Sequence, residues 1–175
     1  MLNFLKYMLA LIIGVAFGFF VLNTSSEVVS PAPVIYNNDT IPNKIPFIKY
    51  NNSMAFVKVR IKGKEAVFLV DTGAKTTVVD IAQAESYGLS FEELFDIELS
   101  GVGGKTALYG SMQPYHIDTD QGQFRVTFMA SDLGNVVETF RLNIGIRILG
   151  ILGSDFFSTY NFIIDYKDRS MYSLK

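Results

Sequence analysis

The chain contains no cysteine, which excludes disulfides, thiolate chemistry and cysteine-based zinc sites. It has one histidine, His116. A Ser-His mechanism would have to rest on that residue alone, and a metal site would have to be built from carboxylates. Neither sign of charge is in surplus: 15 basic residues face 17 acidic ones, for a net charge of -2, and no basic stripe is visible. Nothing in this balance favours nucleic acid as a partner. What is abundant is apolar and aromatic. The 175 residues are 49% hydrophobic, with 15 Phe and 9 Tyr, enough for a core and typical of strand-rich proteins. The length suggests one domain plus an extra segment.

That extra segment lies at the N-terminus. Residues Leu2 to Leu22 are apolar apart from Asn3 and Lys6, and Tyr7 to Leu22 carry no charge. A helix needs about 20 such residues to cross a bilayer. Lys6 precedes the apolar run and the next basic residue is Lys44, so the positive-inside rule places the N-terminus in the cytoplasm and the rest outside. A cleaved signal peptide is the competing reading, but Asn23-Thr24-Ser25-Ser26 offers no Ala-x-Ala cleavage site. Both readings export the domain. Residues 23–44 read as a linker rich in Ser, Asn and Pro, holding a domain over residues 45–175 away from the membrane.

From Pro46 the chain becomes strand-like. Ala55 to Ile61 alternates, Lys62-Gly63-Lys64 turns, and Glu65 to Val70 forms a strand that ends at Asp71. The apolar run Val67-Phe68-Leu69-Val70 predicts a strand buried on both faces. It leads directly into Asp71-Thr72-Gly73-Ala74. An acid at the rigid end of a buried strand, beside a glycine turn that frees space, suits acid–base chemistry. The tripeptide on its own also fits a plain turn closing a hairpin.

Thr76 to Asp80 predicts a further strand, and Ile81 to Tyr87 one or two helical turns stopped by Gly88, with Asp80 as N-cap. Phe91 to Phe95 reads as another helical turn. Gly101-Val102-Gly103-Gly104 follows a strand pattern and describes a mobile hairpin tip. Gly103-Gly104-Lys105-Thr106 resembles the end of a phosphate loop, but Leu99 occupies the position that requires glycine. Gly101-Val102-Gly103 does not extend to a dinucleotide fingerprint, because Thr106 stands at its last position. Pro114 to Asp118 and Gln123 to Ala130 predict strands, with His116 facing solvent on the first. Asp118-Thr119-Asp120 is a solvated turn, since no calcium-loop pattern continues from it. No cofactor or metal is implied.

Near the C-terminus, Ile148 to Gly153 is an apolar run broken by two glycines. Ser154 to Tyr160 predicts a short helix capped by Ser154 or Asp155, Asn161 to Tyr166 a strand, and Ser170 to Leu174 a last strand across a turn at Lys167-Asp168-Arg169.

These motifs together resemble the retropepsin-like aspartic proteases. Val70-Asp71-Thr72-Gly73-Ala74 is similar to that family's active-site motif. Gly150-Ile151-Leu152-Gly153-Ser154-Asp155-Phe156-Phe157, followed by Phe162-Ile163-Ile164-Asp165-Tyr166, looks like its second signature, and the glycine tip at 101–104 lies where the family places its flap. The resemblance covers roughly Pro46 to Lys175. The anchor and linker lie outside it and make the chain look like the membrane-tethered, single-domain bacterial members.

The resemblance implies a mostly β fold, a retropepsin-like acid-protease barrel with one or two short helices, preceded by a transmembrane helix. It implies peptide or protein as substrate and Asp71 as the catalytic acid. Thr72 would bond across a twofold axis, Gly73 and Ala74 would leave room for substrate, and Gly101, Val102, Gly103 and Gly104 would form the flap. Two adjacent carboxylates share one proton, because at ~3 Å both cannot ionise. Only one Asp-Thr-Gly is present, and Asp155 and Asp165 are poor second acids, so a homodimer with one Asp71 from each copy is the economical reading. The segment Met112 to Arg147 is longer than in compact viral enzymes and leaves room for an added hairpin. Two other readings are a catalytically inactive scaffold of this fold that binds exported peptides, and an envelope protein whose Asp-Thr-Gly is an ordinary turn.

Overall fold

The computed structural model of the chain describes residues 44–51, 54–101 and 104–174. The expected anchor, nearly all of the linker, and the flap-tip residues Val102 and Gly103 lie outside them. Among the described residues, no helix is long and apolar enough to cross a membrane.

The fold is mostly β. Its strands are β1 (Ile45–Asn51), β2 (Met54–Ile61), β3 (Lys64–Val70), β4 (Val78–Asp80), β5 (Phe91–Gly101), β6 (Gly104–Ser111), β7 (Tyr115–Thr119), β8 (Gly122–Val126), β9 (Met129–Ser131), β10 (Gly150–Leu152), β11 (Phe162–Asp165) and β12 (Ser170–Ser173). Among the described residues three short α-helices interrupt them: α1 (Ile81–Ala84), continued by a 3-10 turn over Glu85–Tyr87, α2 (Gly134–Ile144) and α3 (Ser154–Thr159). The strands pair in the order β11-β12-β1-β2-β3-β10-β4-β9-β6-β5, and β7 bridges β2 to β8.

The β2–β3 hairpin shows why the sequence folds this way. Its two-residue loop, Lys62-Gly63, has φ of 49° and 78°, so both residues are left-handed, as a turn matching the twist of the strands requires. This fixes the register Ile61↔Lys64 through Ala55↔Val70. Along β2, Ala55, Val57, Val59 and Ile61 face one core while Lys58 and Arg60 are exposed. Along β3, Phe68 and Val70 enter that same core, and Leu69 enters a second core on the opposite face. The expected strand buried on both faces is therefore present, and two cores bury it.

The first core runs through the aromatic group Phe124, Phe156, Tyr160 and Phe162, whose ring centroids lie 4.9 to 5.8 Å apart. This group joins the β7–β8 hairpin to α3 and β11. The second core is Phe56, Leu69, Val78 and Ile148 beneath Leu133, Val137 and Phe140, the last three at the start of α2 and along it.

Several local expectations are corrected. Phe91 to Phe95 is strand rather than helical turn: β5 takes its partners from β6, with Phe91↔Ser111 and Glu92↔Gly110, and this pairing overrides a weak local preference. Thr76 and Thr77 belong to the loop before β4, which starts at Val78. The segment 112–147 holds the expected hairpin, β7–β8, but also β9 and the eleven-residue helix α2. The signal for α2 was the spacing of Val136, Val137, Phe140 and Ile144, closed by Gly145 in the left-handed conformation at φ 73°.

Candidate active site

The Asp71 loop is held by β10, where Gly150 lies within the strand and Gly153 follows it, packed closely against β4 and the loop. β10 inserts between β3 and β4, running parallel to β3 with Gly150↔Phe68 and Leu152↔Val70, and antiparallel to β4 with Ile151↔Val78. A Cβ on Gly150 would lie 2.2 Å from the Val78 carbonyl oxygen, and one on Gly153 2.6 Å from the Thr76 carbonyl carbon. No side chain fits at either place, which explains both glycines of the distal motif.

Asp71 is half-buried at the end of β3. Its amide donates to the Leu152 carbonyl at 3.1 Å, and its Oδ1 accepts from the Gly73 amide at 2.9 Å. The chain then turns: the Ala74 amide donates to the Asp71 carbonyl at 3.2 Å. Thr72 and Gly73 are exposed at the tip, and Ala74 is half-buried. The Ser154 amide donates to the Ala74 carbonyl at 2.7 Å, tying the loop to the start of α3. The distal run thus threads beneath the Asp71 loop.

A polar clamp closes the underside. The Thr77 hydroxyl donates to Asp155 Oδ1 at 2.7 Å and accepts from the Gly153 amide at 3.0 Å, while the Thr77 amide donates to Asp155 Oδ2 at 3.0 Å. Thr77 is fully buried. Asp155 was expected to cap α3. The cap position is instead Gly153, without a side-chain bond, and Asp155 reaches back to Thr77. Asp80 does occupy the N-cap position of α1 but makes no side-chain cap there. It is 3% exposed and accepts from the Leu133 amide at 3.2 Å and from Gln83 Nε2 at 3.0 Å, fastening the start of α2 to the sheet. Both acids serve distant backbone because burial makes every donor there costly to leave unpaired.

Among the described residues, Asp71 has no cationic partner, and no cluster of three or more potential metal ligands occurs. The other two acids considered are occupied elsewhere: Asp155 by Thr77, and Asp165 by the Asp168 amide at 2.9 Å. His116 is exposed on β7, as expected for a solvent-facing strand residue. Gly101 and Gly104 pair at the end of the β5–β6 hairpin.

The family model described as Aspartyl protease matches residues 57–156. More than half the chain is covered, and the chain belongs to the aspartyl protease family. No curated protein matches it in sequence. Among solved structures it is similar to a retropepsin-like aspartic protease from Rickettsia conorii, at 15% identity and a TM-score of 0.51, over 74% of this chain and 98% of that one. It also matches the retroviral protease-like domain of a Leishmania major protein, at 15% identity and a TM-score of 0.48, over 71% of this chain and 97% of that one. A third match is the EIAV protease solved with an inhibitor, at 20% identity and a TM-score of 0.46, over 65% of this chain and 95% of that one. The Rickettsia likeness identifies the fold as retropepsin-like.

Proposed function

We propose that this protein is a homodimeric aspartic endopeptidase whose active site joins Asp71 from two copies. The observation that carries the reading is Asp71 itself. It is an acid at the end of a strand buried on both faces, held by the Gly73 amide and, among the described residues, given neither a cation nor a second acid by its own chain. Peptide hydrolysis without a metal needs one group to take a proton from water and another to give one to the carbonyl oxygen. Two carboxylates sharing a proton supply both, and a twofold axis beside the exposed Thr72-Gly73 tip would bring them together.

In this reading Asp71 of one copy, ionised, draws a proton from the attacking water. Its counterpart, protonated, donates to the carbonyl oxygen as the tetrahedral intermediate forms. Collapse of the intermediate returns a proton to the leaving amine. Thr72 bonds across the axis, Gly73 and Ala74 admit the substrate backbone, and the hairpin ending in Gly101, Val102, Gly103 and Gly104 closes over it. Residues 1–22 anchor the chain in a membrane and residues 23–44 carry the domain, 45–175, on its outer side. Two chains confined to one membrane meet at a raised effective concentration.

The test is cleavage of a diverse peptide mixture by the full-length chain in mild detergent, beside Asp71→Asn. Cleavage that the substitution abolishes supports the reading. A folded wild type that cleaves nothing, or an Asp71→Asn protein that cleaves equally well, refutes it.

A further inference from the structure

The even charge balance of the chain hides a local surplus at one end of the sheet. Lys58, Arg60, Lys62 and Lys64 recur at every second residue through the β2–β3 hairpin, and all four are exposed. The β7–β8 hairpin widens the row. Arg60 pairs with Asp118 and His116 with Arg125, so His116 and Arg125 continue the outward side next to Lys62, while Ile61, Ile117 and Phe124 are buried on the other. Lys62 and His116 meet at a shallow cleft that Gln113, Asp118 and Gln123 also line.

Five lysines and arginines on this face meet two acids, Glu65 and Asp118, a surplus of three in a chain whose net charge is -2. Among the described residues only Lys58 of the five has a carboxylate partner, Glu65 at 3.2 Å. Lys62 and Lys64 donate to the Gly88 and Ser86 carbonyls at 2.5 and 3.0 Å, which fixes the ammonium groups without neutralising them.

The patch and the Asp71 loop occupy opposite ends of β3. Lys64 opens the strand and Asp71 follows its last residue, about 23 Å away at the rise of an extended chain. The chain enters the domain from the end that bears the patch. β1 runs antiparallel to β2 with Phe47↔Val57 and Asn51↔Met54, so Ile45 and Lys44 lie towards Arg60 and not towards Met54.

We propose that this basic face rests on an anionic lipid surface and leaves the Asp71 loop in water, open to a second copy and to substrate. The proposal rests on the membrane-anchor part of the proposed function and adds an orientation to it. Charge sets the sign of the partner, and the tether sets its kind. A domain held by residues 23–44, which span at most about 75 Å, never leaves the reach of its bilayer. Each weak contact between a cation and a lipid phosphate then acts at a raised effective concentration.

The test reconstitutes the full-length chain into vesicles and acetylates its amines with a membrane-permeant reagent, read residue by residue by mass spectrometry. Lys75 in the Asp71 loop and Lys167 in the β11–β12 turn, both exposed, are the internal references. With about 30% phosphatidylglycerol, labelling of Lys58, Lys62 and Lys64 against the references is expected to fall by about threefold or more relative to phosphatidylcholine alone, and to recover in about 0.5 M salt. Lys58→Gln with Arg60→Gln is expected to remove roughly half of the protection at Lys62 and Lys64. Arg125→Gln, a single exposed change, serves should the double variant not fold, and the salt series needs no variant.

A chain that resists an alkaline carbonate wash yet labels alike in both vesicles overturns the proposal and leaves the anchor standing. A chain that the wash releases, but that had bound anionic vesicles alone in a salt-sensitive way, upholds the lipid face and refutes the anchor. Binding to neither vesicle overturns both. Polyglutamate or duplex DNA that protects the three lysines where anionic lipid does not would assign the face to a soluble polyanion and overturn the proposal.

Discussion

The hydroxyl of Thr77 sits between the two motifs that define the site, donating to Asp155 at 2.7 Å and accepting from the Gly153 amide at 3.0 Å. This buried side chain reinforces the backbone bonds that already join the Asp71 loop to the distal strand–helix unit, about eighty residues away in the chain. Asp155→Ala strands the Thr77 amide and hydroxyl in a buried place and is expected to cost about 3 kcal/mol. Asp155→Asn, which can still accept from the amide and donate to the hydroxyl oxygen, is expected to cost about 1 kcal/mol. Urea unfolding of the two variants measures the difference.

The glycines separate close approach from backbone freedom. Gly153→Ala would push a Cβ to 2.6 Å from Thr76 and displace the Asp71 loop, so peptide cleavage is expected to fall at least about tenfold, since small displacements at a reacting centre are costly. Gly63→Ala meets nothing within 4 Å and strains only φ, at 78°. It is expected to cost about 1 kcal/mol of stability and leave cleavage unchanged. Kinetics and melting on the pair distinguish the two mechanisms.

The aromatic joint predicts a larger effect. Phe124 is 1% exposed and meets Phe156, Tyr160 and Phe162. Phe124→Ala is expected to destabilise by about 3–5 kcal/mol, the usual range for removing a buried ring. A melting midpoint within a degree or two of wild type would show that the β7–β8 hairpin does not support α3.

At the N-terminal border of the described domain, Lys44 Nζ lies 2.6 Å from Asp168 Oδ2. The hydrogen bond with Lys44 holds the Asp168 carboxyl below its usual range, and the same bond raises the Lys44 amine above 10.5. The depressed acid contributes stability above its unfolded value, near 3.8, and loses it as the pH falls through its folded value. The raised base contributes below 10.5 and loses that contribution as the pH rises through its folded value. The pair therefore acts from mild acid to mild alkali. Asp168→Asn is expected to lower the unfolding midpoint slightly at pH 7 and not at all at strongly acidic pH, with the pH 7 difference shrinking in high salt because the pair is exposed.

Much of this was legible in the residues. The buried run into Asp71, the Lys62-Gly63 turn and the alternation of β2 are local signals, and each became the expected element. What was not legible depended on partners. Phe91 to Phe95 carries a helix-like Glu-Glu-Leu run, and only pairing with β6 makes it strand. Asp80 stands at the N-cap of α1 and Asp155 in the first turn of α3, and their sequence neighbours say nothing of Leu133 or Thr77, which they hold. Helix α2 had a readable period in Val136, Val137, Phe140 and Ile144. Its place over the Asp71 end of the sheet follows from the second core, which no local pattern reveals.

The central claim is that one working site takes an Asp71 from each of two copies, and mixing tests it most directly. Wild-type chain is held at fixed concentration while full-length Asp71→Asn chain is added and allowed to exchange. Random pairing at equal amounts leaves a quarter of the dimers with two intact acids, so cleavage is expected to fall to about half, and to about a tenth at ninefold excess of the variant. Cleavage that stays constant as inactive chain is added, with exchange between copies verified, would contradict the shared site and assign catalysis to the single chain.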